Sequence, residues 1–88
     1  MTAHARIREY FEAGHQLCVT CSHQTNVLVM DDENYELFNK DEAHDWIGGF
    51  SAIFPVRITI PESGYWNVVL SIPDEVSSDK FTYSINEN

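Results

Sequence analysis

The chain has 88 residues, 14 of them acidic and 5 basic, for a net charge of −9. At this length one thin core is expected, burying roughly 60% of the surface that the unfolded chain exposes, and the 43% apolar content belongs to a globular domain and not a disordered one. The charge argues against direct contact with nucleic acid or an anionic membrane and is compatible with a basic partner.

Residues 2–12 fit two readings, a short helix with Ile7, Tyr10 and Phe11 on one face or an opening strand. No apolar run follows Met1–Arg6, so no signal peptide is expected there. Ser84–Asn88 carries no lipidation or retention signal. The expected location is the cytoplasm, where Cys18 and Cys21 would be reduced thiols.

Beyond the opening segment the dominant period is two, which predicts five strands. Leu17, Val19 and Cys21 alternate with Gln16, Cys18 and Thr20. Val27 and Val29 alternate with Asn26, Leu28 and Met30, a strand apolar enough to be covered on both faces. Val56, Ile58 and Ile60 form a third strand. Trp66, Val68, Leu70 and Ile72 form a fourth, and Phe81, Tyr83 and Ile85 a fifth. The polar run Ser22–Asn26 suits a hairpin, and Pro61-Glu62-Ser63-Gly64 has the chemistry of a tight turn. Residues 31–45 are the longest break, with room for a helical turn around Tyr35–Phe38, and Gly48-Gly49 marks a bend before Ala52. Short strands with regular turns predict one all-β domain over residues 1–88, a small antiparallel β-sandwich or barrel with one long acidic loop.

Cys18-Val19-Thr20-Cys21, flanked by His15 and His23, has the spacing of a redox pair or half a zinc site. On a strand, however, residues three apart point to opposite faces. Cys18 and Cys21 are therefore expected to be structural, with Cys21 in the core. No metal or cofactor site is expected. His44 lies among Asp41, Glu42 and Asp45 and is read as a loop histidine, and His4 belongs to no metal-binding motif. No serine has the glycines of a nucleophile elbow, and no glycine-rich loop is present to cradle phosphate. No catalytic residues are assigned, and the protein is expected not to be an enzyme.

Half of the acidic residues fall in one stretch, as Asp31, Asp32, Glu33, Glu36, Asp41, Glu42 and Asp45. The calcium-loop spacing is absent from Asp31-Asp32-Glu33-Asn34. Tyr35, Phe38 and Trp46 lie within or beside the stretch and are suited to anchoring a contact.

Several of these pieces come in a specific order. They are Asn26-Val27-x-x-Met30-Asp31, Gly48-Gly49, and Pro55-Val56 through Ile60-Pro61-x-Ser63-Gly64-x-Trp66. Over roughly residues 4–72 the chain resembles a family of small bacterial proteins known as domain of unknown function 1883. The resemblance implies a jelly-roll-like sandwich in which residues 4–10 form a strand. It implies no activity and no catalytic residues. Some members resemble accessory domains joined to Toll/interleukin-receptor-type domains, which hints at bacterial defence. The stretch before the paired glycines is often basic in such proteins, whereas here it reads Lys40-Asp41-Glu42-Ala43-His44-Asp45.

The leading expectation is a non-enzymatic binding domain that meets a basic protein surface. Its contact residues would be Asp31, Asp32, Glu33, Glu36, Asp41, Glu42, Asp45 and Trp46. A second reading is an acidic phage-type inhibitor, anti-CRISPR-like, that mimics nucleic acid and blocks a nucleic-acid-binding protein. A third is a small-ligand or sugar-binding jelly roll using Tyr65 and Trp66, although Trp66 is in phase with the core positions Val68 and Leu70. Unpaired strand edges would also permit self-association.

Overall fold

A computed structural model describes residues 3–88. Met1 and Thr2, where the reading over residues 2–12 begins, lie outside the described residues. The elements run β1 (His4–Phe11), β2 (Gln16–Cys21), β3 (Thr25–Met30), α1 (Asp32–Asn39), β4 (Ile47–Ser51), β5 (Val56–Thr59), β6 (Gly64–Ser71), a 3-10 turn (Ser78–Lys80) and β7 (Tyr83–Glu87). The chain is mostly β, in two antiparallel sheets with strand orders β1-β6-β3-β4 and β5-β2-β7. No helix among the described residues is long and apolar enough to cross a membrane.

The opening segment is a strand, which resolves its two readings. A strand turns Ala5 and Ile7 toward the core and Arg6 and Arg8 away from it. The core is one cluster supplied by both sheets. Val27, Val29, Val68 and Leu70 come from the first sheet, and Leu17, Val19, Cys21 and Ile58 from the second. Register places Val29 beside Val68, Val27 beside Leu70, and Leu17 beside Ile58. Each such aliphatic side chain contributes about 1.5–3 kcal/mol of burial. Cys21 is buried in this cluster while Cys18 faces the other way, so the two cysteines do sit on opposite faces. The second face of β3, expected to be covered, is covered in part: Met30 is buried, Leu28 half-buried and Asn26 exposed.

Two local readings need correction. Ser22–Asn26 does not close a hairpin, because β2 pairs with β5 and β7 whereas β3 pairs with β4 and β6. The apolar faces of β2 and β3 meet across the core instead of side by side, so the short polar link carries the chain from one sheet to the other. The paired glycines are not a bend outside the sheet but the second and third residues of β4. Their low strand propensity hid that strand. Gly48 has φ +104, and a Cβ there would collide with the carbonyl oxygen of Val27 on the neighbouring strand.

Both facts make Gly48 irreplaceable in this register. Gly48→Ala is expected to destabilise the fold by about 2 kcal/mol or more, read as a lower urea midpoint at unchanged slope.

Candidate binding site

The acidic stretch is not one long loop. Its first half is helix α1, and the reason is local. Asp31 is the N-cap, with extended backbone (φ −75, ψ 175), and its carboxylate accepts from the Asn34 backbone N–H at 2.9 Å. Asp32 and Glu33 fill the first turn, where the helix dipole favours negative charge. The end is a Schellman closure: Glu42 N–H donates to Leu37 C=O at 2.9 Å and Asp41 N–H to Phe38 C=O at 3.1 Å. Asp41 takes the left-handed conformation (φ 58) where glycine is usual.

Helix α1 has no buried residue of its own. It is held on the outer face of the four-stranded sheet by a polar network. Arg8 donates to Asp32 through Nε at 3.0 Å and Nη2 at 2.7 Å. Asn67, fully buried on β6, donates its amide to Asp32 Oδ1 at 2.8 Å. Arg6 Nε in turn donates to Asn67 Oδ1 at 2.8 Å. The guanidinium of Arg6 stands 4.1 Å from the ring centre of Tyr35, and that of Arg8 4.2 Å from Tyr65. Hydrogen bonds from Arg8 and then Asn67 hold the Asp32 carboxyl down from its ordinary 3.8 to about 2.

Beyond the network a ladder of rings follows the helix back to β4. His4 meets Phe38 at 5.2 Å, Phe38 meets His44 at 5.4 Å, and His44 meets Trp46 at 5.2 Å. His44 is a loop histidine among exposed carboxylates, as expected, and is half-buried between two rings. At the end of the ladder a cleft of about 150 Å³ opens where β3 ends and β4 begins. Val29, Met30, Asp31, Asn34, Asp45 and Ile47 border it, and of the three aliphatic residues only Ile47 is more than marginally exposed. Trp46 and Trp66 also line it. The Asn34 side chain braces this rim: its Nδ2 donates to Asp31 Oδ1 and its Oδ1 accepts from the Asp45 backbone N–H, each at 2.9 Å.

The structure therefore divides the eight residues expected at a contact surface. Asp31, Asp45 and Trp46 come together at the cleft. Asp32 is turned to the sheet and occupied by Arg8 and Asn67. Glu36 lies 3.7 Å from Lys40 in an exposed pair, of little energetic weight. Glu33, Asp41 and Glu42 are exposed and stand outside the cleft. Sequence reasoning did not join Asn34 and Trp66 to this group. Trp66 is half-buried, packed on the core, and donates its indole N–H to Glu62 C=O at 2.9 Å. Its phase with Val68 was the visible signal, and its place at the strand's open end was not.

A family model described as Domain of unknown function (DUF1883) matches residues 3–85. The chain belongs to this family. No curated protein and no solved structure matches it.

Two outcomes follow from this geometry. The folded-state Asp32 value lies below the ordinary one, so its contribution is complete above pH about 4 and is lost as pH falls through about 2. Asp32→Asn is expected to lower stability at pH 7 by about 0.5–1 kcal/mol, discounted because the pair is half-exposed. It should also flatten the acid limb of the stability curve, read by urea titration from pH 2 to 7. Asp41→Gly is expected to stabilise by about 0.5–1 kcal/mol by relieving the left-handed backbone, read as a rise in Tm.

Proposed function

We propose that this DUF1883 member is a non-enzymatic binding domain whose contact surface is the α1–β4 turn with Trp46, and that its partner is a protein with a basic surface. The observation that carries the reading is Trp46. It is 52% exposed and lies beside Asp45, between the acidic turn and the cleft. A large ring left half in water among carboxylates is the anchor-and-rim arrangement of a binding surface. Charge then steers encounter and the ring supplies contact area. The fold underneath is read as a jelly-roll-like sandwich, because five of its six strand-to-strand connections pass from one sheet to the other. The cytoplasm and a role in bacterial defence or counter-defence are part of the same reading.

The nucleic-acid mimic shares this surface and differs only in what the partner normally holds. The small-ligand reading gains one observation, since Trp66 lines a concave cleft.

The test is a parallel capture from bacterial lysate by the tagged protein and by its Asp41→Asn, Glu42→Gln, Asp45→Asn triple variant, with and without excess duplex DNA. A protein held by the parent and lost by the variant is expected, with association slowed roughly tenfold at low salt and dissociation little changed. A partner displaced by DNA moves the assignment to the mimic. Equal recovery by both proteins removes the turn as the contact surface.

A further inference from the structure

We infer that the cleft between Trp46 and Trp66 receives one cationic side chain, a lysine or arginine of the partner, with its methylene stem on the apolar surface and its charge between the indoles and the two carboxylates. The inference rests on the basic-partner reading and names what that partner inserts.

Three features of the cleft select this occupant together. Its apolar surface comes from Ile47 and the two indoles, and long basic side chains lay their stems on such surface while keeping the charged head near water. Its walls include two tryptophans, the best aromatic partner for a cation. Its rim carries Asp31 and Asp45. Asn34 occupies only Oδ1 of Asp31, through its backbone N–H and its amide, and among the described residues no hydrogen bond or ion pair engages the Asp45 carboxylate. The volume, about 150 Å³, accommodates a single side chain and not a folded segment. A neutral sugar could hydrogen-bond to the carboxylates but would gain no charge attraction from them, and an anion would be repelled. Arg6 and Arg8 do not fill the place, because both are committed to Asn67, Asp32 and their own tyrosines.

The probes are Nα-acetyl-lysine methylamide and Nα-acetyl-arginine methylamide. Nα-acetyl-norleucine methylamide, which keeps the stem and loses the charge, is the control. Each is titrated into isotope-labelled protein while the two indole N–H resonances are followed. Saturable shifts of both indoles with the cationic amides, and none with norleucine, are the expected result. Asp31→Asn retains the helix cap, so the Asp31→Asn, Asp45→Asn double variant should stay folded and bind roughly tenfold more weakly. Trp46→Leu, at an exposed position, should lose roughly fivefold or more. Equal response to norleucine would make the cleft an apolar site and overturn the inference. An octalysine peptide separates this failure from that of the underlying reading. Binding that depends on Trp46, Asp41 and Glu42 but ignores Asp31→Asn and leaves the Trp66 indole unshifted would keep the basic-partner surface and overturn the cleft. No binding of octalysine at low salt would overturn both.

Discussion

The contact of Arg8 with Asp32, braced by the buried amide of Asn67, keeps α1 on the sheet. An eight-residue helix is marginal by itself, and this one buries no residue of its own. The ion pair is half-exposed and would contribute little alone. Asn67 changes that balance. Its amide is fully buried, and leaving such a group without partners costs about 1–3 kcal/mol. Arg6, Asp32 and the Met30 carbonyl together satisfy it. The helix is therefore positioned less by the strength of one salt bridge than by the penalty for every arrangement that would strand Asn67.

The same contact orders the remaining acidic charge. Seven carboxylates within residues 31–45 would repel one another in an extended loop. Folding spends Asp31 on the cap and Asp32 on the network, and it places two of the five basic residues, Arg6 and Arg8, beneath the helix. Asp41, Glu42 and Asp45 are left exposed on the far side of the Schellman closure. Asp31 is also on the cleft rim, one residue from the Asp32 anchor. Helix capping, sheet attachment and cleft geometry thus converge on two adjacent residues, so loosening Arg8 would disturb the cleft without touching it.

The strands were legible wherever β-branched and aromatic residues alternated, as in β2, β3, β5 and β6. Strand β4 was not, because Gly48 and Gly49 carry no side chain to show a period and Gly48 is there for close approach to Val27. The family motif supplied the strand reading of β1, whose periodicity alone fits a helix as well. In the acidic stretch the composition was visible but its division was not. Which carboxylates face the sheet depends on pairings 24 and 35 residues apart, Arg8 to Asp32 and Asn67 to Asp32. No local pattern encodes those pairings. The capping box that would have announced α1 is also incomplete, since Asn34 stands where a glutamate or glutamine is usual.

The arginines that anchor the helix also bear on the open edge of the sheet. Strand β1 is an outermost strand, eight residues long, and an edge of that kind invites a second copy. Antiparallel self-pairing about a two-fold axis normal to the sheet must match residues that share a face. Centred on Ile7 it sets Arg6 opposite Arg8, and centred on Arg8 it sets Arg8 opposite itself. Directly opposed like charges are destabilising in either register. Strand β4, the other edge of that sheet, is five residues long and includes Gly48 at φ +104. The pair of arginines that draws the acidic helix down on one face therefore also discourages the strand that bears them from pairing with itself.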